Sequence, residues 1–126
     1  MPKVFVYGSL KRGQSNAFMM QGAQFVAPAR SVQCWRLVAL PHYPALVWEE
    51  GPCRITGEVW EVPETMMAEL DRFEEVPVLY TRQEIEVELE GQEGGTADRL
   101  LMAHAYFMPA VLAAAGRELR EGRWPA

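Results

Sequence analysis

Near its start the sequence runs Val4-Phe5-Val6-Tyr7-Gly8-Ser9-Leu10-Lys11-Arg12-Gly13, an apolar run that stops at a glycine. The run is rich in β-branched and aromatic residues, which predicts a buried strand. Gly8 permits backbone angles that a side chain would forbid, and residues 14–20 have a helical pattern with Ser15 as the expected N-cap. Strand, loop and helix start together expose unpaired N–H groups, which bind anions or polarised carbonyl oxygens. Alone this is a weak indication of a site, because most such corners only connect elements.

Composition is typical of a globular protein with one domain. The 126 residues are 49% hydrophobic and 23% charged, which is enough for one core over residues 1–126. The net charge of −5 argues against a nucleic-acid partner, since that would need a basic face. No apolar run is long enough for a membrane span. The strand pattern starts almost at once, so we expect no signal peptide, a cytoplasmic location, and reduced thiols at Cys34 and Cys53.

Apolar and alternating segments predict about six strands. After the first, they cover residues 23–40 with a break near 29–31, then 45–48, 54–62, 80–90 and 100–108. Turns are expected at 41–44, 49–53 and 91–98, where proline and glycine are concentrated. In the segment 80–90, glutamates alternate with Ile85, Val87 and Leu89. This alternation indicates a solvated acidic face rather than a cation site.

Two further segments, 63–73 and 109–120, have helical patterns. In the first, Pro63 suits the first helical position, and the apolar stripe consists of Met66, Met67, Leu70 and Phe73. In the second, the apolar side consists of Val111, Leu112 and Leu119, and Trp124 in the tail is expected to dock on the domain. Strands and helices do not alternate regularly. We therefore expect an α+β fold with a small mixed, mostly antiparallel β-barrel and two to three flanking helices.

Patterns for a metal or a phosphate-binding loop are lacking. His42, His104, Cys34 and Cys53 form no CxxC, HxxxH or HExxH spacing, so we expect no metal. Cys34 lies in mid-strand, where a buried and inert thiol is the usual interpretation. Gly13 is not followed by the Lys-Ser/Thr of a P-loop, and no GxSxG elbow occurs. No cofactor is expected.

Two carboxylates stand at an unfavourable place in Leu70-Asp71-Arg72-Phe73-Glu74-Glu75-Val76-Pro77. Glu74 and Glu75 come at the C-terminal end of the predicted helix, where the helix dipole is negative. In one interpretation both side chains point into water at little cost. In the other, one turns inward, and burial raises its pKa as a general base requires. The pattern of residues leaves both interpretations open.

Taken together, the two segments resemble the γ-glutamylcyclotransferase-like (AIG2-like) family. The opening stretch is similar to its YGSL/YGTL signature, and Leu70-Asp71-Arg72-Phe73-Glu74, followed by Pro77, Tyr80 and Arg82, is similar to its LDxFE…P…Y.R segment. Further matches are Tyr43-Pro44, Gly57-Glu58-Val59 and Tyr106. The resemblance implies a small β-barrel with a cavity at its mouth. It also implies release of a γ-glutamyl group as 5-oxoproline, from a small-molecule substrate and without a cofactor.

Roles for individual residues follow from this resemblance. Glu74 aligns with the catalytic glutamate, the general base on the substrate's α-ammonium group. The loop that holds the glutamyl moiety corresponds to Tyr7, Gly8, Ser9 and Leu10, and Tyr106 corresponds to a cavity-lining aromatic whose hydroxyl reaches the site. Glu75 is the rival base and is expected to face water. No long unpaired apolar stripe demands a partner, so we expect a monomer or a weak homodimer.

Two other functions stay open at this point. One is a non-catalytic module that binds a small carboxylate or a peptide end in the same cavity, and the other is a hydrolase in which Glu74 activates water. The chain departs from the family at Trp60, where a tyrosine is common, and at Met108, after which no hydroxyl-bearing aromatic follows. The segments 41–51 and 91–99 are also short. These departures leave the leaving amine undefined.

Overall fold

The computed structural model describes residues 1–91 and 99–125. Its strands are β1 (Lys3–Val6), β2 (Gln24–Ala39), β3 (Pro44–Glu50), β4 (Cys53–Glu61), β5 (Thr81–Leu89), β6 (Leu100–Phe107) and β7 (Arg117–Glu118). Its helices are a 3₁₀ helix (Ala17–Met20), α1 (Glu64–Phe73) and α2 (Ala110–Ala113). The turn expected at 91–98 lies outside the described residues, apart from Gly91.

All seven strands belong to one mixed sheet. Their order is β1-β4-β2-β3-β6-β5, and β7 pairs with β2. Most pairs are antiparallel, whereas β1 and β3 each pair with β6 in parallel. With 16 residues, β2 is long enough to pair with four strands along its length. The expected α+β fold with a mixed, mostly antiparallel sheet is confirmed.

Strand β1 is buried on both faces, which explains why its sequence is continuously apolar. Because side chains alternate along a strand, Val4 and Val6 lie in a cluster with Met67 and Leu70 of α1. Phe5 lies on the opposite side, in a cluster within the sheet that includes Phe107. Helix α1 therefore packs beside β1, and its C-terminal end comes close to the loop that follows β1.

The alanine-rich helix expected at 109–120 is wrong beyond its first turn. Helix α2 ends at Ala113, and the chain then turns into β7, which pairs with β2. Gly116 makes this turn possible, because a Cβ there would lie 3.0 Å from the Val38 side chain. Val111 and Leu112, expected on an apolar side, are 80% and 48% exposed. Pairing with the sheet overrides helix propensity here.

Two local expectations in the first third of the chain also change. The helix expected at 14–20 is only the 3₁₀ helix Ala17–Met20, and the residue at its N-cap is Asn16 rather than Ser15. The break expected near 29–31 is a bulge within a continuous strand, because the β2–β4 register shifts between Arg30 and Cys34. There the buried Ser31 hydroxyl accepts the Ile55 N–H at 2.8 Å and so replaces a backbone partner.

The other helix and strand expectations hold to within a residue, except that β3 extends to Glu50 instead of ending at 48. Helix α1 and strand β5 occur where predicted, although Pro63 is the N-cap of α1 rather than its first residue. Trp124 packs against the core cluster within the sheet. Cys34 is half-buried rather than fully buried, and both cysteines are free thiols. In the described part of the chain, no helix is long and apolar enough to cross a membrane.

Candidate active site

A cavity of about 320 Å³ opens between the loop after β1 and the C-terminal end of α1. All six residues that the sequence selected line it, namely Tyr7, Gly8, Ser9, Leu10, Glu74 and Tyr106. The two segments are separated by more than sixty positions in the chain, and they meet because β1 and α1 share one hydrophobic cluster. The packing of the core thus brings the loop and the carboxylate to the same cavity.

The loop after β1 carries unused hydrogen-bond donors. It begins with a turn in which the Lys11 N–H bonds to the Gly8 carbonyl at 3.0 Å. Among the described residues, no acceptor takes the N–H of Gly8, Ser9 or Leu10. Three consecutive free N–H groups along a cavity wall form a site for an anion or a polarised carbonyl oxygen.

Gly8 is required for a different reason from the one expected. It does not adopt a positive φ, so no special backbone angle demands glycine. Instead, a Cβ at this position would lie 2.6 Å from the Pro44 ring. The absence of a side chain lets the loop pack directly on the residue that starts β3.

Tyr7 and Tyr80 hold the cavity walls together. The Tyr7 hydroxyl donates to the Tyr106 carbonyl at 2.6 Å and accepts the Leu46 N–H at 3.3 Å. The Tyr80 hydroxyl donates to the Pro44 carbonyl at 3.0 Å. Burial raises the pKa of both phenols, and the nearby Glu74 carboxylate adds to the increase. Both hydroxyls therefore stay protonated donors. Tyr7 links the end of β1 to β6 and β3, and Tyr80 links the residue before β5 to β3.

The end of α1 separates the two adjacent glutamates. The Val76 N–H bonds to the Asp71 carbonyl at 2.9 Å, and the Glu75 N–H bonds to the Arg72 carbonyl at 3.0 Å. This pair of bonds is the Schellman motif, which requires a left-handed residue after the helix. Glu75 occupies that position with φ 53°. As expected, Glu75 is exposed, whereas Glu74 is partly buried, and both line the cavity.

Burial raises the pKa of Glu74 from 4.5 to about 7. Among the described residues, no side chain donates a hydrogen bond to its carboxylate and no cation pairs with it, so nothing offsets the loss of hydration. The inward interpretation of the helix end is therefore correct for Glu74. A carboxylate with a pKa near neutrality and access to a cavity is suited to proton transfer.

Asp71 does not line the cavity but contacts Tyr106, which does, and Asp71 was given no role in the sequence analysis. Its Oδ1 accepts the Tyr106 hydroxyl at 2.7 Å and lies 3.1 Å from Arg82 Nε. Burial raises the pKa of Tyr106, and the hydrogen bond to Asp71 raises it further. The Tyr106 hydroxyl thus donates to Asp71 and keeps its oxygen lone pairs for another donor. The sequence did contain a signal for Asp71, because Asp71 and Arg82 both belong to the motif that resembles the family.

Asn16 and Tyr43 also line the cavity, and sequence reasoning assigned neither of them to the site. Asn16 donates from its amide to the Ser9 hydroxyl at 3.0 Å, and its N–H bonds to the Ser9 carbonyl at 2.9 Å. These contacts depend on how the loop folds, so the local sequence contains no signal for Asn16. The sequence indicated Tyr43 only as a match to the family. Within residues 1–91 and 99–125, no group of three or more His, Cys, Asp or Glu residues could hold a metal ion.

The backbone strain at Glu75 leads to a stability prediction. A non-glycine residue in the left-handed region costs about 1–2 kcal/mol, so Glu75→Gly should raise the free energy of unfolding by about 1 kcal/mol. Urea unfolding provides the measurement, with Glu75→Ala as the matched control that removes the carboxylate but keeps the strained φ. Equal stabilisation by both variants would show that charge, and not backbone conformation, is responsible.

The raised pKa of Glu74 makes stability depend on pH. Between pH 4.5 and about 7 the folded state retains a proton that the unfolded state has released, so stability falls as pH rises through this range. Glu74→Gln removes this loss. The difference in free energy of unfolding between the variant and the natural protein should increase in favour of the variant by about 2 kcal/mol from about pH 5 to about pH 8. Urea unfolding at both pH values measures the change, and a constant difference would contradict a buried ionisable Glu74.

The fold and the cavity define a small α+β protein in which a donor-rich loop faces a partly buried carboxylate. A family model described as gamma-glutamyl cyclotransferase, AIG2-like, matches residues 4–126. The chain therefore belongs to this family, which confirms the resemblance of the two motifs.

Individual relatives agree with this assignment. A putative gamma-glutamylcyclotransferase of Vibrio cholerae is 42% identical over 66% of this chain and 70% of its own length. The gamma-glutamylaminecyclotransferase of Mus musculus is 37% identical over 75% of this chain and 68% of its own length. A crystal structure of an AIG2-like protein from Mus musculus matches with a TM-score of 0.77 at 34% identity, over 86% of this chain and 77% of that one.

Proposed function

We propose that this chain is a γ-glutamyl cyclotransferase, which releases 5-oxoproline and a free amine or amino acid from a γ-glutamyl conjugate. The observation that carries the proposal is the meeting, in one cavity, of a partly buried carboxylate and three unused backbone N–H groups. Glu74 is the general base, and Gly8, Ser9 and Leu10 hold the glutamyl part. Family membership and the names of the relatives support this class of reaction.

The proposed reaction begins when the Glu74 carboxylate takes a proton from the substrate's α-ammonium group. The freed amine attacks the γ-carbonyl carbon of the same glutamyl group, closes a five-membered ring and moves the carbonyl electrons onto oxygen. As this oxyanion collapses, the bond from the γ-carbon to the leaving nitrogen breaks. Glu74 gives its proton to that nitrogen as the bond breaks. It then takes the second proton of the attacking nitrogen and passes it to the released amine, which leaves as an ammonium ion. Atoms and charge balance without a cofactor, because nucleophile and electrophile belong to one molecule.

The pKa values of the two groups are well matched for this transfer. An α-amino group has an ordinary pKa of about 8, and burial raises the pKa of Glu74 to about 7. A proton can therefore pass in either direction near neutral pH with little free-energy cost, which suits a group that acts first as base and then as acid. An unperturbed glutamate would be too weak a base for the first step. We expect kcat/KM to rise with pH as Glu74 ionises.

The loop contributes positioning and charge stabilisation. Its free N–H groups at Gly8, Ser9 and Leu10 are donors for the substrate carboxylate or for the oxyanion that develops at the γ-carbonyl. Fixed donors need no reorganisation during the reaction, so they stabilise the charge of the transition state better than water does. Holding the glutamyl chain in a folded pose brings amine and carbonyl together, which supplies the proximity effect.

The two tyrosines have different proposed roles. Tyr7 acts through position, because its hydroxyl already bonds to the backbone of Tyr106 and Leu46. Tyr106 has its proton directed to Asp71, so its oxygen is free to accept a hydrogen bond from the α-ammonium group. Tyr106 would then orient the amine toward Glu74, and Asp71 would orient Tyr106.

The test is to incubate the protein with a panel of γ-glutamyl amines and γ-glutamyl dipeptides and to identify the products. We expect 5-oxoproline and the free amine in equal amounts from at least one member. Free glutamate as the product would favour the alternative, a hydrolase in which Glu74 activates water. Ligand binding without any turnover would favour a non-catalytic carboxylate-binding module. The inward Glu74 supports chemistry over binding alone, because an inward carboxylate repels a bound carboxylate.

We extend the proposal to the whole chain. Residues 1–126 form a single γ-glutamylcyclotransferase-like domain, and the β1–β6 and β2–β5 pairings close its sheet into a small barrel. The protein works in the cytoplasm as a monomer or a weak homodimer, on a small-molecule substrate. Size-exclusion chromatography with light scattering measures the oligomeric state.

A further inference from the structure

Glu58 is a buried carboxylate that the proposed reaction does not use. Its residue is 8% exposed, and it does not line the cavity. It accepts hydrogen bonds from three donors. These are the Arg12 backbone N–H at 3.0 Å, Arg12 Nε at 3.1 Å and Trp60 Nε1 at 3.2 Å. Removing a carboxylate from water costs free energy, and these hydrogen bonds offset that cost only while the donors keep their positions.

The position of Glu58 explains what this geometry achieves. Glu58 lies in β4 directly opposite Val6, the last residue of β1. The loop after β1, residues 7–13, is here called the substrate loop. It leaves the sheet just after Val6, and Arg12 lies five residues beyond Tyr7, near its far end. Glu58 therefore joins the far end of the loop to the strand beside its start. The segment that carries the free N–H groups of Gly8, Ser9 and Leu10 lies between these two attachment points.

Neighbouring side chains support the same attachment. The Arg12 guanidinium lies over the Phe25 ring, 3.7 Å from its centre, and Phe25 contacts Trp60 edge-on with ring centres 5.4 Å apart. The Lys11 ammonium donates to the Trp124 carbonyl. Burial lowers the pKa of Lys11, and the Glu58 charge opposes this change. The loop is thus tied to β2, to β4 and to the C-terminal tail.

We propose that Glu58 is a positioning residue, which holds the substrate loop in the conformation that keeps its three N–H groups directed to the cavity. It acts through Arg12 and does not touch the substrate. A loop that is ordered before binding spends less binding energy on its own ordering. Loss of Glu58 therefore weakens substrate binding and leaves proton transfer at Glu74 unchanged. The kinetic part of this inference rests on the proposed function.

The test uses Glu58→Met, which keeps the side-chain length and removes all three acceptor contacts. Glu58→Gln keeps one acceptor oxygen, and it carries the test if the methionine variant does not fold. For Glu58→Met we expect KM to rise by roughly tenfold, the factor equal to one lost charge-assisted hydrogen bond. We expect kcat to change by less than about threefold, and the pH midpoint of kcat/KM to stay in place. Glu58→Gln should fall between these values and the natural protein.

The matched control is Glu88→Gln, which removes the Arg54–Glu88 ion pair of 2.8 Å on the same sheet, away from the loop. It should leave KM unchanged. A fall in kcat with constant KM in Glu58→Met, or the same rise in KM in Glu88→Gln, would overturn the assignment of Glu58.

Hydrogen–deuterium exchange tests the attachment separately from turnover. In Glu58→Met the Lys11 and Asn16 amides, which bond to the Gly8 and Ser9 carbonyls, should exchange faster, while those of residues 74–80 on the other side of the cavity keep their rates. Unchanged exchange at Lys11 and Asn16 would overturn the inference, even in an active enzyme. If the natural protein forms no 5-oxoproline but its loop loses protection in Glu58→Met, the proposed function fails and the attachment stands.

Discussion

Glu74→Gln should lower kcat/KM for 5-oxoproline formation by at least about a hundredfold, the lower end of what a general base contributes. An amide of the same shape cannot take the α-ammonium proton at neutral pH. It also places no charge in the cavity, so the substrate still binds. The loss should therefore appear in kcat with little change in KM. Initial rates of 5-oxoproline release, measured near the pH at which the natural protein is most active, provide the comparison.

Glu75→Gln is the matched control for this experiment. It makes the same chemical change one residue along the chain, at an exposed side chain that lines the same cavity. Its kcat/KM should stay within about threefold of the natural value, as for a surface carboxylate that takes part in no proton transfer. If Glu75→Gln loses activity and Glu74→Gln retains it, the two glutamates exchange roles and the account of the helix end is wrong.

Gly8→Ala should have the second largest effect. The added Cβ would lie 2.6 Å from the Pro44 ring, so the loop must move away from β3. Overpacking of this kind costs about 1–3 kcal/mol, and displacement of catalytic groups by about 1 Å lowers activity about a hundredfold. Urea unfolding measures the first effect, and kcat/KM for 5-oxoproline release measures the second.

Gly13→Ala separates crowding from the general cost of a side chain in the loop. Gly13 has φ 82°, and no heavy atom lies within 4 Å of the position that a Cβ would take, so alanine there strains the backbone without contacting Pro44. We expect a loss of about 1 kcal/mol with kcat/KM close to the natural value. Equal losses of activity in both variants would show that loop flexibility, rather than contact with Pro44, controls the site.

Elements with a strong periodic pattern could be predicted from sequence. The continuous apolar run of β1, the alternation in β5 and the apolar stripe of α1 each reflect burial, which the residue types record directly. The C-terminal segment differs because its alanines favour a helix only when packing does not decide. There, Gly116 against Val38 and the pairing of β7 with β2 decide the structure.

The site was predictable as a set of residues but not as a geometry. Motif resemblance selected Glu74 and the loop from Tyr7 to Leu10, and all of them line one cavity. Which of the two adjacent glutamates turns inward depends on the left-handed φ of Glu75. A positive φ is uncommon for glutamate, so the sequence does not predict this conformation. The bond from Tyr106 to Asp71 joins positions 35 residues apart. Such long-range contacts form only when the sheet places its strands.

Turnover of a γ-glutamyl substrate in water enriched in the oxygen-18 isotope distinguishes cyclisation from hydrolysis by the product that forms. Cyclisation by the substrate's own amine, with Glu74 as base, predicts 5-oxoproline that contains no heavy oxygen, together with an equal amount of free amine. Attack by water would instead give glutamate that carries one heavy-oxygen atom in its γ-carboxylate. Mass spectrometry distinguishes the two products, and labelled glutamate as the main product would contradict the account.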